Sequence, residues 1–355
     1  MVTENLKKIQ TKNVVVGFDG FVDTIVQAVD VRDGEKYTRI ETIADFGERI
    51  MSAAGKSSNI ELVPQKKLMG GNGPLLAETL CKFGTNVKYI GALGDCANNI
   101  FQDFADKTSA ISTGDYGETR AIEFSDGKIL FGEMLSLSKT TVDSILAKVS
   151  PQDLVSVVNS SDAFATVNWT MMQHMTSIAQ FFVTEILPQC TKNNRLFFFD
   201  LADPEKRKQS ELMEFLRLIG SYQKFGRSIL GLNVREAQQV LHTLGQDFQL
   251  DEREDRMKEA AKLLRKALKI EVVFIHGVKV SSAATDDKSA IANKYFVENP
   301  KILTGAGDRY NAGFLAAYLC NNDINFAINF AAATSAFYVK NMVSPILDDV
   351  EILAI

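Results

Sequence analysis

The chain has 355 residues, of which 46% are hydrophobic and 23% charged, and its formal net charge is −5. This composition is typical of a globular protein with one large or two smaller domains, and the interspersed charges exclude the clustered basic surface of a nucleic-acid-binding protein. No stretch reaches the ~18 apolar residues of a membrane span, and residues 1–13 lack the apolar centre of a signal peptide. We therefore expect a cytoplasmic protein with neither a membrane nor a nucleic acid as partner.

Short apolar runs alternate with amphipathic segments, which is the pattern of strands joined by crossover helices. The predicted strands are Asn13–Gly17, Val87–Leu93, Leu154–Val158, Ala163–Asn168, Leu196–Leu201, Ser228–Asn233 and Glu271–Gly277. The predicted helices follow Gly73 as far as Gly84, and span Asp251–Lys269 and Arg309–Cys320. Several strands are apolar almost throughout, as parallel strands buried on both faces are. The pattern predicts a doubly wound α/β sheet that binds ligands at the carboxyl ends of its strands.

Two segments interrupt this alternation, Val29–Ile40 and Ala121–Gly132. Each contains Asp-Gly between alternating residues, a strong signal for a β-hairpin. The two hairpins are expected either to pair into a small sheet that covers a ligand, or to lie on the surface without a role in binding. We expect a single domain over residues 1–355, with a lid contributed by about residues 27–45 and 117–136. Because a lid sheet has edges that can pair, a homodimer formed through the lid is a further expectation.

The most informative motif is Thr304-Gly305-Ala306-Gly307-Asp308, where a predicted helix begins. The backbone N–H groups of a helix start attract anions, and glycine lets a phosphate approach the backbone closely. Asp308 is a poor ligand for phosphate, but it is placed to take a proton from an attacking hydroxyl. The alternative is structural: the glycines form a tight turn and the aspartate interacts with the helix dipole.

Two motifs nearer the start of the chain carry groups that suit a small polar ligand. Gly70-Gly71-Asn72-Gly73 precedes a predicted helix, so its backbone and the Asn72 amide can approach a ligand, although a helix-initiating turn explains the motif equally. Asp19 and Asp23 follow the first predicted strand. Carboxylates at a strand end suit sugar hydroxyls, and the alternative is an Asx turn.

Asn233-Val234-Arg235-Glu236 lies at another predicted strand end. Asparagine at a helix N-cap with glutamate three residues later is a capping box, a structural device. The same residues suit a hydrated Mg²⁺, which keeps most of its waters and needs few carboxylates. Their position at the same sheet edge as Asp308 favours the magnesium interpretation.

Other site classes find no support in the sequence. The three histidines, His174, His242 and His276, are too isolated for a zinc site. Gly-x-Ser-x-Gly, the Walker A motif and the dinucleotide fingerprint are absent. The four cysteines are widely separated, without a Cys-x-x-Cys pair, so reduced and buried thiols are expected; they are Cys81, Cys96, Cys190 and Cys320.

In their order along the chain, these motifs resemble those of the ribokinase-like sugar kinases, also called the PfkB family. The resemblance rests on Gly70-Gly71, Gly91–Asp95, Asn233-x-x-Glu236, Gly277 and Thr304–Asp308, with Asn311 and Gly313 in the following helix. It covers nearly the whole chain, and Thr304–Asp308 is its most specific part. The resemblance implies a three-layer α/β/α core with a small β-sheet lid, and phosphoryl transfer from ATP, with Mg²⁺, to a hydroxyl of a sugar or sugar-like molecule.

The resemblance also implies a role for each matching residue. Asp308 is implied as the catalytic base, and Gly305, Ala306 and Gly307 as the anion hole for the transferred group. Substrate contacts are implied for Asp23, Gly70, Gly71 and Asn72, and the strand-end position adds Asp19 as a candidate. Cofactor contacts are implied for Asn233, Glu236 and Gly277, with Glu236 expected to reach the metal through water; Thr304 is a further cofactor-binding candidate.

The sequence departs from the family pattern at three places, and one of them is Asp19, which makes the first-strand motif one residue longer than the usual form. Ile302-Leu303 stands where members usually carry Asp-Thr, and Leu75 stands where many sugar kinases have an asparagine. Loss of that amide removes a sugar contact, so the identity of the acceptor stays open. Two alternatives therefore remain beside a sugar kinase: a nucleoside kinase of the same family, and a ligand-binding or regulatory relative without turnover.

Overall fold

The computed structural model describes residues 6–350. In this part of the chain the strands are β1 Asn13–Phe18, β2 Phe21–Asp33, β3 Lys36–Arg39, β4 Leu62–Gly70, β5 Asn86–Gly91, β6 Ile111–Ser112, β7 Gly117–Glu123, β8 Lys128–Glu133, β9 Ala163–Thr166, β10 Arg195–Asp200, β11 Gly226–Asn233, β12 Val272–His276, β13 Ser281–Ala284 and β14 Ser289–Ala292. The α-helices are α1 Ile43–Ser52, α2 Asn72–Lys82, α3 Gln102–Thr108, α4 Val142–Leu146, α5 Pro151–Ser160, α6 Met175–Phe181, α7 Gln209–Tyr222, α8 Val234–Thr243, α9 Glu254–Leu268, α10 Ala306–Asn321 and α11 Ile324–Asn341.

Nine of these strands form the main sheet, in the order β14-β13-β12-β11-β10-β9-β1-β5-β6. The strands from β12 to β6 run parallel, and β13 and β14 add an antiparallel edge. Successive side chains of β10 enter opposite layers: Phe197 and Phe199 pack in one hydrophobic cluster, Leu196 and Phe198 in the other. The first cluster includes residues of α5 to α9, and the second includes residues of α2, α3, α10 and α11. The predicted three-layer α/β/α arrangement is thus confirmed.

One predicted strand is wrong. The segment Leu154–Val158 lies inside α5, whose N-cap Ser150 accepts a hydrogen bond from the N–H of Asp153 and whose first residue is Pro151. Leu154 and Val158 are buried one turn apart on the same face. The N-cap and the four-residue spacing of the buried side chains favour a helix, and they outweigh the preference of a valine-rich segment for a β-strand.

Both predicted hairpins form, and they join in a second, five-stranded sheet of β2, β3, β4, β7 and β8. The strand β4 was not predicted; it pairs with the first part of β2 and lies at an edge of this small sheet. One face of the small sheet is covered by α1, whose Phe46 packs against Phe124 at a ring distance of 5.3 Å. The edge strand β4 contains Pro64, Lys66 and Lys67, residue types that disfavour pairing with another strand. A homodimer formed through this sheet therefore stays a prediction without structural support.

Two further sequence-based expectations can be compared with the described residues. No helix between residues 6 and 350 is both long and apolar enough to cross a membrane. The four cysteines are free thiols, as expected, but each is partly exposed and not buried.

Candidate active site

The carboxyl ends of four parallel strands bring polar side chains to one edge of the main sheet. Asp19 follows β1, Asn168 follows β9, Asp200 ends β10 and Asn233 ends β11. The N-terminus of α10, with Asp308 in its first turn, is presented to the same region. Two cavities open beside this helix start, and ten of the thirteen predicted site residues line one or the other.

The first cavity, of about 330 Å³, lies between the main sheet and the small sheet. Thr119 of β7 and Leu130 and Gly132 of β8 line its wall on the side of the small sheet. Six predicted site residues also line it: Asp23, Gly71, Asn72, Thr304, Gly305 and Asp308. We call it the acceptor cavity, because it collects the hydroxyl-binding candidates.

The second cavity, of about 410 Å³, lies on the other side of the helix start and is bounded by β12 and α11. Four predicted site residues line it: Asn233, Gly277, Ala306 and Gly307. Apolar residues such as Phe296 and Val339 form much of its remaining wall, which suits an aromatic base. We call it the nucleotide cavity.

The start of α10 separates the two cavities. Gly305, its N-cap residue, has φ of +80°, a conformation that glycine adopts without strain. Gly305 faces the acceptor cavity, and Ala306 and Gly307 face the nucleotide cavity. The N–H of Ala306 donates to the carbonyl oxygen of Leu303 at 3.1 Å, so one of the three predicted anion-hole donors already has a partner.

Asp308 is buried, with 8% of its surface exposed. Burial raises the pKa of its carboxyl from 3.8 to about 7, because the charged form loses its hydration. The nearby Arg309 guanidinium and Asn72 amide oppose this rise in pKa. The charges of Asp19 and Glu236 reinforce it by repulsion. A carboxyl that titrates near neutral pH is well suited to accept a proton from an alcohol and to release it afterwards.

Asp23 lies partly exposed in the wall of the acceptor cavity. Burial raises the pKa of this carboxyl, and a hydrogen bond from Thr119 and the charge of Lys128 oppose the rise. A side chain at position 70 would collide with the Asp23 carboxylate, so Gly70 leaves room for it. Gly70 itself is not part of the cavity wall.

Asp19 lies behind the acceptor cavity and is fully buried. One carboxylate oxygen accepts hydrogen bonds from the N–H of Asn72 at 2.9 Å and from the Asn168 amide at 2.6 Å, and the other accepts one from the N–H of Gly73 at 2.9 Å. Burial raises the pKa of Asp19 to about 6 against these bonds. Asp19 therefore holds the start of α2, and the structure gives it no opening to a substrate.

Asn233 and Glu236 form the capping box that the sequence allowed. Asn233 Oδ1 accepts from the N–H of Glu236, and a Glu236 oxygen accepts from the N–H of Asn233, each at 2.9 Å. The second Glu236 oxygen accepts from the N–H of Asp203 at 2.9 Å. Glu236 is buried and lies outside the nucleotide cavity wall, and burial raises its pKa. The predicted contact of Glu236 with a metal through water stays a prediction.

Sequence reasoning missed Asp200, the last residue of β10. Its Oδ2 accepts a hydrogen bond from the Asn311 amide at 3.0 Å, and its buried Oδ1 lacks a partner among the described residues. Burial, together with the charges of Glu236 and Asp308, raises the pKa of Asp200 well above its usual range. The signal in the sequence was its position at the end of an apolar strand, the same signal that singled out Asp19.

The helices that carry the two halves of the site are joined directly. Arg309 of α10 pairs with Glu78 of α2 at 3.3 Å, and Ser344 bonds to both side chains at 3.0 and 2.9 Å. The Arg309 guanidinium also lies over the ring of Tyr338, whose hydroxyl donates to the carbonyl oxygen of Thr304 at 2.9 Å. These contacts fix the loop before Asp308 relative to α2.

Two of the departures from the family pattern include residues that line the cavities. Leu75 lines the acceptor cavity and lies against Gly305. Leu303 lines the nucleotide cavity and is 69% exposed, and its carbonyl oxygen accepts a hydrogen bond from the N–H of Ala306. Ile302 lines neither cavity.

Comparisons with known proteins agree with this architecture. The model of a family described as prokaryotic ketohexokinase matches residues 2–354. A ketohexokinase of Haloferax volcanii is 21% identical over 351 residues, which cover 98% of this chain and 92% of the relative.

Solved structures show the same fold at low sequence identity. A nucleoside kinase of Methanocaldococcus jannaschii, described as an archaeal member of the ribokinase family, superposes with a TM-score of 0.62 at 16% identity, covering 96% of each chain. A ribokinase of Arabidopsis thaliana, solved with ribose and ATP, gives a TM-score of 0.63 at 16% identity, covering 96% of this chain and 95% of the other. The ribokinase-like fold predicted from the sequence is confirmed.

Proposed function

The chain belongs to the prokaryotic ketohexokinase family, and we propose that it transfers the γ-phosphoryl group of ATP to a hydroxyl group of a ketohexose. The observation that carries this proposal is the position of the α10 N-terminus between two cavities, with Gly305 and Asp308 on one side and Ala306 and Gly307 on the other. A phosphoryl group that passes from a nucleotide in one cavity to a sugar in the other must pass this helix start. The helix start also supplies N–H groups and a positive dipole end where phosphoryl charge develops.

In this proposal the sugar occupies the acceptor cavity. Asp23 accepts hydrogen bonds from its hydroxyls, and the Asn72 amide can both accept and donate them. Gly71 lets the sugar approach the backbone. The apolar Leu75 faces a part of the sugar without a hydroxyl. Asp19 and Gly70 act indirectly, since the first fixes the glycine turn and the second makes room for Asp23.

Asp308 is the proposed base. The acceptor oxygen attacks the γ-phosphorus, its proton passes to Asp308, and the bond from the γ-phosphorus to the bridging oxygen of ATP breaks to release ADP. The N–H groups of Gly305 and Gly307 stabilise the charge on the transferred group, an effect worth several kcal/mol. The Ala306 N–H joins them only if its bond to Leu303 opens.

The nucleotide base is proposed to lie against the apolar wall near Phe296 and Val339, with Gly277, Asn233 and Thr304 nearer the phosphates. Mg²⁺ bound with ATP would neutralise phosphate charge. The described residues contain no cluster of three acidic, histidine or cysteine side chains that would hold a metal alone. They fit a hydrated ion, because Asp200 has a buried oxygen without a protein partner and Glu236 lies beside it in the same acidic group.

The small sheet is proposed to act as the lid of a single domain. Its residues Thr119, Leu130 and Gly132 already line the acceptor cavity. Closure would exclude water, which competes with the sugar as phosphoryl acceptor.

The proposal is tested by measuring ADP release from ATP and Mg²⁺ with separate acceptors: fructose and other ketohexoses, ribose, fructose 6-phosphate and a nucleoside. We expect the highest kcat/KM with a ketohexose and an at least hundredfold lower kcat for Asp308→Asn. Faster turnover of the nucleoside would identify a nucleoside kinase. Binding of ATP and sugar without ADP release would identify a ligand-binding relative.

A further inference from the structure

A lysine of the small sheet reaches the loop that begins α10. Lys128 is the first residue of β8, and its ammonium donates a hydrogen bond to the Thr304 hydroxyl at 3.3 Å. These residues are 176 positions apart in sequence, so the contact joins the small sheet to the phosphoryl-transfer loop. Thr304 lines the acceptor cavity, immediately before Gly305. The Lys128 charge therefore lies at the rim of the cavity, on the side where the transferred group must pass.

The other neighbours of Lys128 leave its ammonium available. Glu123, its cross-strand partner in the hairpin, lies 3.7 Å away, and both side chains are partly exposed, at 26% for the lysine and 48% for the glutamate. An exposed ion pair of this kind contributes about 0–1 kcal/mol. The charge of Lys128 also acts on Asp23 across the cavity. A phosphoryl oxygen carries more negative charge than the Thr304 hydroxyl, so it would compete effectively for the same ammonium.

We propose that Lys128 contacts the γ-phosphoryl group of the bound nucleotide and stabilises its transfer, acting from the small sheet opposite the N-terminus of α10. This inference rests on the proposed function for its donor, ATP, but not on the identity of the acceptor. In-line transfer places negative charge on the oxygens of the moving group, and a cation that arrives with the lid adds to the N–H groups of Gly305 and Gly307. The same contact makes closure of the small sheet depend on the γ-phosphate.

The inference is tested with Lys128→Met and Lys128→Arg, and with Lys36→Met as a matched control. Lys36 is an exposed lysine of β3 in the same small sheet and does not line the acceptor cavity. We expect Lys128→Met to lower kcat about 100-fold with an acceptor KM within threefold of wild type, as for loss of a charged group at a transition state. Lys128→Arg keeps the charge and should recover about a tenth of the wild-type kcat. Lys36→Met should match the wild type.

A second measurement needs no acceptor. Calorimetry gives the affinity for ADP and for a non-hydrolysable ATP analogue, and Lys128→Met should weaken the analogue about tenfold while leaving ADP unchanged. That result, together with no turnover of any sugar by the wild-type protein, would support the role of Lys128 and reject the proposed acceptor. Wild-type kcat in Lys128→Met overturns the inference, and so does an equal loss of affinity for both nucleotides. If Lys128→Met is poorly folded by circular dichroism, Lys128→Arg decides. About a tenth of the wild-type kcat with a retained preference for the analogue over ADP supports a charge contact, and a kcat about 100-fold below wild type with that preference lost overturns it.

Discussion

Replacing Asp308 by asparagine removes a buried carboxylate whose ionised form is costly, so we expect Asp308→Asn to lose activity and to gain stability at neutral and alkaline pH. Burial raises the pKa of this carboxyl in the folded protein from 3.8 to about 7. The folded state therefore binds a proton more tightly than the unfolded chain does. The resulting stabilisation is complete below about pH 4, falls as the pH rises towards 7, and is absent above 7.

The size of the effect follows from the two pKa values. Each pKa unit corresponds to about 1.4 kcal/mol, so the wild-type protein loses about 4 kcal/mol of this contribution between pH 4 and 7. Asparagine has no such titration. Between pH 5.5 and 8, the free energy of unfolding of Asp308→Asn should thus gain about 2 kcal/mol relative to wild type. The repulsion by Asp19 and Glu236 is one cause of the raised pKa, so this figure already includes it.

The assay is denaturant unfolding of both proteins at about pH 5.5 and pH 8, with kcat measured across the same range. The matched control is Asp323→Asn, an exposed N-cap of α11 where asparagine caps as well as aspartate. Wild-type kcat should rise with pH through about 7, as ionised Asp308 becomes available, and Asp308→Asn should lose at least 99% of it. A pH-independent stability difference between the two proteins would refute the raised pKa of Asp308, and a kcat above a tenth of wild type in the asparagine variant would refute its role as base.

Three further substitutions follow from the geometry. Asp23→Asn removes a charged hydrogen-bond acceptor from the acceptor cavity, so steady-state kinetics should show a 10- to 100-fold higher KM for the sugar and an unchanged KM for ATP; an unchanged sugar KM would contradict its role. Gly305→Ala places a side chain at φ of +80° and against Arg309, so thermal unfolding should show a free energy of unfolding about 1–2 kcal/mol lower, and kcat should fall. A wild-type melting temperature would contradict this expected strain. Phe46→Ala uncovers one face of the small sheet, costing about 3 kcal/mol, and sedimentation should detect self-association; a monodisperse variant would show that α1 is not needed as a cover.

The arrangement of strands and helices was largely predictable because the buried parallel strands are strongly apolar. The run that became β10 is recognisable from its consecutive apolar residues Leu196–Phe199. In the structure every residue of Arg195–Asp200 is buried. The edge strand β4 was missed because an edge needs little burial: its four central residues, Pro64–Lys67, are exposed, so its sequence resembles a loop. Its pairing with β2 depends on residues 34 to 49 positions away, which no local pattern records.

The position of the site was predictable where the backbone carries it. The glycine motif before Asp308 predicted a helix start from local sequence alone, and α10 begins there; the anion site stays a prediction. The roles of Asp19 and Lys128 depend on side-chain direction, which strand ends do not reveal. Asp19 turns inward to three donors, and Lys128 reaches from the small sheet to the loop before α10. A carboxylate at a strand end is therefore a weaker indicator of substrate contact than its position suggests.

The joint between α2 and α10 has a consequence for how the protein would use its binding energy. Arg309, Glu78 and Ser344 join the start of α10 to the middle of α2, and Asp19 anchors the start of α2. The acceptor oxygen and the phosphorus would thus meet in a frame that is already aligned when the chain has folded, and little reorganisation would accompany each turnover. Glu78→Gln would loosen this frame. It should slow the chemical step more than it weakens the binding of either substrate.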